Sequence, residues 1–406
     1  MAPILHGLRV VELSAFVAAP LGGATLASLG AEVVRVDPPG GGIDANRWPL
    51  HRDRSLYWAG LNQGKRSVNL DTRTERGQDL AARLIAEAGM VLTNLPTGGW
   101  SSYERLRALR SDLIMAVLTG NPDGSTAVDY TVNAAVGLPL VTGPEGWEGP
   151  VNHVLPAWDA LAGCLLATGL LAAELHRART GEGQLLRLSL ADVALSVASS
   201  LGFIAEAQLA AAPRGRFGND LYGTYSHDFR TADGRQVIVV ALTPRQWQAV
   251  VDAAGLSEDV ERLEAAQGLD LRREGDRFAA RAEITALLQR WVGGRTYAEV
   301  SRDFEAHEVL WGPYQTFQEL VRNDERCSVR NPMFEELEQP GIGSYLRAAS
   351  PLLFSAVERV PPRPSPQMGA DTAAVLASWL GLRDDEIDAL ASEKVIATSG
   401  SAPGGA

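Results

Sequence analysis

The chain is poor in lysine and has no excess of positive charge. Among its 37 Lys and Arg residues, only Lys65 and Lys394 are lysines, and the formal net charge is −12. Attraction to a phosphate polymer or an anionic membrane requires a basic surface. The charge balance therefore argues against a general nucleic-acid-binding or membrane-surface protein. It is compatible with a small anionic ligand, which needs only a few local cations.

Cysteine is also scarce, and the sequence has no long uncharged apolar run. The two cysteines, Cys164 and Cys327, cannot build a disulfide framework and suit a reducing compartment. The N-terminus shows no basic region followed by an apolar stretch, as a secretory signal would. Asp159 interrupts the longest apolar run, which we predict to be too short to cross a bilayer. We therefore expect a cytoplasmic protein.

Strand and helix patterns alternate in the first part of the chain, which predicts an α/β fold with a parallel sheet. The last of these strands is expected to close the sheet. The predicted strands are Leu8–Leu13, Ala31–Val36, Ser67–Leu70, Met90–Thr93 and Leu113–Leu118. The predicted helices are Ala18–Leu29, Glu75–Ala88 and Tyr103–Leu109.

A chain of 406 residues is too long for one small core, and its pattern changes near residue 225. A hairpin signal around Asp233-Gly234 precedes helical patterns at Pro244–Ala254, Glu258–Glu264, Phe278–Trp291 and Thr296–His307. These features predict a small α+β domain over 225–310. Residues 1–224 are then the first part of a large domain, and 311–406 are a connection that returns to it.

The first strand-to-helix turn lacks the glycine fingerprint of dinucleotide-binding proteins. That fingerprint is G-x-G-x-x-G, whereas this turn reads Ala15-Phe16-Val17-Ala18-Ala19-Pro20. The sheet pattern alone therefore does not predict an NAD site.

Asp159 is the lone carboxylate at the head of an apolar helical run that follows Pro156. Asp is a favoured N-terminal cap, so the residue could serve only to begin the helix. The same position could also present a partly dry carboxylate as a nucleophile. The spacing alone leaves both roles open.

Several segments together resemble the family III CoA-transferases, which include formyl-CoA transferase and α-methylacyl-CoA racemase. They are Leu8–Leu13, Leu29–Gly41, Asn62–Asp71, the Asp159 helix and His176–Gln184. The resemblance implies an interlocked homodimer, with a Rossmann-like large domain built from both chain ends and a small domain inserted between. It also places the family's catalytic aspartate at Asp159.

The expected ligand is an acyl-CoA, with no cofactor beyond its CoA moiety and no metal. CoA carries phosphates, so Arg35, Lys65 and Arg66 are candidate phosphate contacts, or else solvated surface residues. The resemblance adds Asn94 as a CoA contact and Leu70 as a wall beside the adenine. Ala15 and Val17 replace polar residues of other members, which leaves CoA contacts of this loop open.

Further segments are similar to those family members that move CoA within one molecule, between the C1 and C4 carboxyls of 2-methylfumaryl-CoA. They are 129–139, 142–144, 151–159, 218–223 and 242–247. The carboxyls of this trans diacid cannot meet, so an enzyme nucleophile must relay the CoA. Arg47 is our candidate for holding the free carboxylate, with a surface role as the alternative. His153 is a candidate substrate contact or a structural residue.

Three other functions are weighed against this one. Racemases of the family carry a catalytic histidine where this chain has Val128, so a two-base proton exchange lacks one of its bases. An intermolecular CoA-transferase with a separate carboxylate acceptor is the nearest alternative. A CoA-binding protein without turnover is the other, and the presence of Asp159 counts against it.

Overall fold

The computed structural model describes residues 2–397. Its strands are β1 Arg9–Leu13, β2 Glu32–Asp37, β3 Leu50–His51, β4 Arg54–Ser55, β5 Arg66–Leu70, β6 Met90–Thr93, β7 Ile114–Thr119, β8 Leu185–Ser189, β9 Tyr225–Arg230, β10 Gln236–Ala241, β11 Trp311–Pro313, β12 Phe334–Gln339, β13 Gly343–Ala348 and β14 Ile396–Ala397.

The described residues also form α-helices. They are α1 Ala18–Ser28, α2 Leu56–Leu61, α3 Glu75–Ala88, α4 Tyr103–Leu109, α5 Asp129–Ala135, α6 Leu138–Val141, α7 Ala157–Thr180, α8 Leu190–Ser200, α9 Phe203–Leu209, α10 Pro244–Ala254, α11 Ser257–Gln267, α12 Glu274–Ala279, α13 Arg281–Gly293, α14 Tyr297–Ala306, α15 Phe317–Asn323, α16 Thr372–Leu380 and α17 Asp384–Ser392.

The central sheet has seven strands in the order β14-β5-β2-β1-β6-β7-β8. All neighbouring pairs are parallel except β14, which runs antiparallel to β5. The α/β prediction is therefore confirmed, as a mixed sheet. The strand order reverses between β1 and β6, and ligands of such sheets bind where the carboxyl ends of the strands meet at this point.

The prediction that the strand at Leu113–Leu118 closes the sheet is wrong. β8 pairs with β7 beyond it, and β14 extends the opposite edge. β8 follows a long helix, and β14 consists of only Ile396–Ala397 near the end of the described chain. Neither has the strand-helix alternation in sequence that identified the other strands.

Helices α1 and α7 pack closely because glycines meet at their contact. A Cβ on Gly163 would lie 2.8 Å from the carbonyl oxygen of Ala18, and one on Gly22 would lie 3.1 Å from that of Gly163. Ala18 begins α1, and Gly163 lies one turn after Asp159. The contact therefore brings the loop between β1 and α1 next to the start of α7.

The apolar run around Asp159 is longer than predicted. Asp159 is in the first turn of α7, so the helix continues without another acidic residue as far as Glu174. Its length and a mean hydropathy of 1.4 would allow it to cross a membrane, and the bent pair α8 and α9 meets the same criterion together. α7 packs on α1 and on β7, and buried helices of globular proteins can have the same length and composition.

The chain divides into two compact units. The first comprises the described parts of Met1–Val136, His153–Gln208 and Glu325–Ala406, so both ends of the chain contribute to it. It contains the central sheet and the antiparallel hairpin of β12 and β13. Its main core includes Val11, Val34, Leu84 and Ile85, which are completely buried.

The second unit comprises Gly137–Asn152 and Leu209–Asp324, whereas the sequence indicates 225–310 for the small domain. Its sheet has the order β11-β10-β9, and α10, α11, α13 and α14 contribute to a separate core with Tyr225 and Phe229. The helix predicted over Phe278–Trp291 is two helices, α12 and α13, which meet at the buried Ala280. Residues 137–152 carry no strand or long-helix pattern that would assign them to this unit.

Candidate active site

The start of α7 is capped by a residue from a different helix. Asp129, at the beginning of α5, is 2% exposed. Its Oδ2 accepts hydrogen bonds from the backbone N–H groups of Trp158, at 2.7 Å, and Asp159, at 3.0 Å. The residue at the cap position, Pro156, offers no side-chain acceptor. Asp129 therefore fulfils the capping role that the sequence left open for Asp159.

The carboxylate of Asp159 is consequently free for another role. The residue is half-buried, and no hydrogen bond to its carboxylate is formed within residues 2–397. Burial and, to a smaller extent, the negative charge of Asp129 raise the pKa of Asp159 to about 6, while the positive charge of Arg47 opposes the shift. A desolvated carboxylate without hydrogen-bond donors is a stronger nucleophile than a hydrated one.

Arg47 supplies a positive charge close to Asp159. Its guanidinium lies over two aromatic rings, 5.4 Å from the centroid of Phe16 and 5.2 Å from that of Tyr57. No ion pair of Arg47 is formed within the described residues. The structure thus brings Arg47 and Asp159 together. The binding of a substrate carboxylate by Arg47 stays a prediction.

Tyr57 is a polar group of the site that the sequence did not indicate. Its hydroxyl is buried and has no hydrogen-bond partner among residues 2–397. Burial raises the pKa of Tyr57, opposed by Arg47 and aided by Asp159, Asp44 and Tyr130, and the net pKa is about 12. The side chain therefore stays a neutral phenol whose O–H can donate to a ligand. No motif marked it, because it follows an exposed hairpin with no functional pattern.

The loop between β1 and α1 is held in an unusual conformation beside this group. Phe16 has a φ of +64°, which is rare for a bulky residue and costs about 1–3 kcal/mol. Its N–H donates to Oδ2 of Asp44 at 3.0 Å. The amide of Asn94 bonds both backbone groups of Ala15, accepting from its N–H at 2.9 Å and donating to its carbonyl at 2.7 Å. These contacts stabilise the strained loop.

Arg35 and Lys65, predicted to contact phosphate, lie in a buried ionic network beneath this loop. Arg35 is 1% exposed and contacts Asp37 and both carboxylate oxygens of Asp44. Nζ of Lys65 donates to Glu12, to the carbonyl of Pro20 and to Asn62. Burial lowers the pKa of Lys65 to about 8 despite the nearby Glu12.

This placement does not favour phosphate contacts by Arg35 and Lys65, which stay predictions. Every charged group of the network is already paired inside the first unit, and a ligand phosphate would have to displace a buried carboxylate. The scarcity of lysine had marked Lys65 as unusual, but scarcity does not distinguish a buried cation from an exposed one.

The other predicted contacts are placed as follows. Arg66 is 27% exposed on its side chain and pairs with Glu32 and Asp371. The side-chain amide of Asn94 is occupied by Ala15, as described above. Nδ1 of His153 is buried without a hydrogen-bond partner among the described residues. Binding roles for Arg66, Asn94 and His153 stay predictions.

A cleft opens at the carboxyl ends of β1, β2, β5 and β6. Leu70, the predicted adenine-side wall, lines it together with Asp37, Thr72, Thr93 and Trp100. Asn94 lies between two further lining positions, Thr93 and Leu95, and its amide holds Ala15 in the β1–α1 loop. One residue thus connects the wall of the cleft to the loop that carries Phe16.

The comparisons with known proteins agree with this arrangement. The model of CoA-transferase family III matches residues 5–372. The chain belongs to CoA-transferase family III. It is 53% identical to 2-methylfumaryl-CoA isomerase of Chloroflexus aurantiacus over 403 residues, which cover 98% of each chain.

More distant family members share the same length and fold. Succinyl-CoA–D-citramalate CoA-transferase of Chloroflexus aurantiacus is 29% identical, over 97% of this chain and 98% of its own. The crystal structure of a CAIB/BAIF family protein from Brucella suis has a TM-score of 0.77 at 26% identity. It covers 93% of this chain and 100% of its own. These likenesses extend over both compact units.

The charges around Asp159 predict how the pH profile responds to substitution. With Asp159 as the predicted nucleophile, transfer needs the ionised carboxylate, so kcat/KM should fall as the pH drops below about 6. Asp129→Asn keeps a hydrogen-bond acceptor at the start of α7 but removes the charge that raises this pKa. The acidic limb of the profile, where kcat/KM falls with decreasing pH, should therefore move to lower pH. Arg47→Gln removes a charge that lowers the pKa, so the limb should move to higher pH. Each shift should be on the order of half a pH unit.

Arg83→Gln is the matched control, because Arg83 is an exposed arginine of α3 that pairs with Asp79. Its acidic limb should coincide with that of the wild type. The substrate phosphate also ionises in this range, so the measured quantity is the difference between enzymes in full kcat/KM profiles. Shifts of the same sign in the Asp129 and Arg47 variants would contradict the assignment of the limb to Asp159.

Proposed function

We propose that this chain is an isomerase that transfers CoA between the C1 and C4 carboxyls of 2-methylfumaryl-CoA. The observation that carries the proposal is the 53% identity to the enzyme of that name over 98% of both chains. The free, half-buried carboxylate of Asp159 supports it, because this transfer needs a nucleophile that is not engaged elsewhere. The reaction exchanges one thioester for another and takes place in the cytoplasm.

The first half of the reaction moves CoA onto the enzyme. A carboxylate oxygen of Asp159 attacks the thioester carbonyl, the C–S bond breaks, and a mixed anhydride and CoA thiolate form. The thiolate then attacks the aspartyl carbonyl of the anhydride. The C–O bond on that side breaks, which releases the diacid carboxylate and leaves CoA as a thioester on Asp159.

The second half repeats these steps from the other carboxyl group. The diacid presents its other carboxylate to the aspartyl thioester and displaces the thiolate, giving a second anhydride. The thiolate attacks the acyl carbonyl of that anhydride, which yields the isomeric thioester and restores Asp159. Anhydrides hydrolyse readily, so water must be excluded while they exist.

The described residues suit the two parts of the substrate. The cleft beside Leu70 and Trp100 is our proposed site for the CoA moiety, because it opens at the carboxyl ends of the strands where the sheet order reverses. Arg47 is our proposed partner for the carboxylate that is not esterified. Its charge is close to Asp159 and is not consumed by an ion pair within residues 2–397.

The second candidate is an intermolecular CoA-transferase, in which a separate carboxylate accepts CoA from Asp159. The similarity to succinyl-CoA–D-citramalate CoA-transferase favours it, since that name denotes a donor and an acceptor. The chemistry at Asp159 would be the same. Only the identity of the second carboxylate would differ.

We also propose that the protein is an interlocked homodimer. Apolar side chains of α7 and α8 support this, because Leu161, Leu165, Leu195 and Leu201 are between 41% and 66% exposed. Only 39% of the apolar stretch of α7 is buried within the chain. An exposed apolar surface of this kind is typical of a protein interface, and a second copy would cover it.

Substituting the nucleophile should remove turnover and leave binding. Asp159→Asn keeps the shape of the side chain, but its amide cannot form the anhydride. We expect transfer to fall by about 10⁴-fold or more, as when other covalent nucleophiles are removed. Calorimetry should show the substrate ester still binding. Near-native turnover, measured by chromatography of the two CoA esters, would refute the nucleophile assignment.

Labelled free diacid separates internal from external transfer. In the proposed reaction the diacid does not leave the pocket, so isotope-labelled mesaconate added during turnover should enter the product slowly. Incorporation of label as fast as the ester isomerises would identify an intermolecular enzyme.

Removing Arg47, the proposed partner of the free carboxylate, should weaken the retention of the diacid in the pocket. Losing a charge-assisted contact costs about 1.5–3 kcal/mol, or roughly ten- to a hundred-fold in affinity. Arg47→Ala should therefore release mesaconate and leave CoA on Asp159, as seen by chromatography and intact mass. Arg47→Lys, which keeps the charge, should release less. Equal release by both variants would exclude Arg47 as the partner.

Sedimentation tests the proposed assembly. Interlocked subunits cannot separate without partial unfolding, so analytical ultracentrifugation should show a dimer across a dilution series. A reversible monomer–dimer equilibrium at micromolar concentration would contradict interlocking, and a monomer throughout would contradict the dimer itself.

A further inference from the structure

Phe16 combines a strained backbone with a direct contact to the charged group beside Asp159. Its φ of +64° is unfavourable for a side chain of this size. Glycine would adopt this conformation without penalty, so the turn itself does not require a bulky residue. The ring is also 37% exposed, and burial in the core therefore does not account for it. The ring does contact the guanidinium of Arg47.

Two side chains, Asp44 and Asn94, hold the backbone of this loop. Asp44 is 1% exposed, binds the N–H of Phe16 and is itself held by Nη2 of Arg35 at 2.9 and 3.1 Å. Asn94 holds both backbone groups of the preceding residue, Ala15. Three hydrogen bonds thus hold the backbone immediately before the strained bond, and α1 begins two residues after it, at Ala18.

The Phe16 ring is one of two aromatic rings that contact the Arg47 guanidinium. Phe16 and Tyr57 lie 5.4 and 5.2 Å from its central carbon, which is the range of a cation–π interaction. Arginine has a long, flexible side chain, and Arg47 lies in an exposed segment. The two rings are the contacts that the described structure offers to restrict it.

We propose that Phe16 is a positioning residue that holds Arg47 next to Asp159, and that the strained loop directs the Phe16 ring towards Arg47. The inference rests on the proposed function, because it assigns to Phe16 the placement of the group that binds the free carboxylate of the diacid. Phe16 takes no part in the chemical steps. Its aromatic ring, rather than its volume, matters for transfer.

Three substitutions separate the ring from the backbone. Phe16→Tyr keeps an aromatic ring. Phe16→Leu removes the ring while keeping an apolar side chain and the same backbone penalty. Phe16→Gly removes the ring and relieves the penalty, so it stays informative if the Leu variant folds poorly. Thermal unfolding of each variant reports on the fold independently of Arg47.

The measured quantities are the acidic limb of the kcat/KM profile and the amount of diacid released per turnover. Phe16→Leu and Phe16→Gly should shift the limb to higher pH, in the direction of Arg47→Gln, and should release more diacid than the wild type. Phe16→Tyr should match the wild type in both. A purely structural role would lower the melting temperature and the rate without moving the limb or changing diacid release.

The outcomes distinguish this inference from the function on which it rests. If Arg47→Gln shifts the limb and releases diacid but Phe16→Leu and Phe16→Gly do neither, the positioning role is wrong and the proposed function stands. If Arg47→Gln itself has no effect on either quantity, the pairing of Arg47 with Asp159 fails first. A Phe16→Tyr variant that behaves like Phe16→Leu would also overturn the role of the ring.

Discussion

The carboxylate of Asp159 is free because Asp129 accepts the hydrogen bonds at the start of α7. A helix that begins with a proline at its cap position leaves backbone N–H groups without side-chain acceptors. Asp129 accepts two of them through one carboxylate oxygen, so Asp159 does not have to turn back to its own backbone. The same buried charge raises the pKa of Asp159. One carboxylate thus both frees the other and makes it more basic, which suits the proposed attack on a thioester.

The opposite wall of the site depends on a buried ionic network. Arg35, held by Asp37 and Asp44, fixes the loop in which Phe16 is strained, and Asn94 fixes the residue before it. Glycines allow α1 to approach α7 closely enough for this loop to lie beside the first turn of α7. Charges buried at the ends of β1 and β2 therefore act on the site indirectly, through the backbone and rings that they hold in place.

Much of the fold followed from periodicity, and little of the site did. β1, β2, β6 and α3 are where alternation and amphipathic spacing predict them, because neighbours in sequence determine those patterns. β8 and β14 lie at the sheet edges after long connections, and local pattern does not reveal their pairing. Asp159 was found through its resemblance to a family position. The burial of Arg35 and Lys65 could not be predicted, because it depends on Glu12, Asp37 and Asp44, which the fold brings to them. The cap by Asp129 and the hydroxyl of Tyr57 are tertiary contacts that no local motif marks.

The most direct test of the account follows the oxygen atoms of Asp159. In the proposed steps, Asp159 gives one oxygen to the carboxyl that loses CoA and receives one from the carboxyl that gains it. Substrate labelled with heavy oxygen in its free carboxylate should therefore leave one labelled oxygen on Asp159 after a single turnover, detected by mass spectrometry of the peptide that contains it. Complete isomerisation with no label in that peptide, or with label on another residue, would contradict the account.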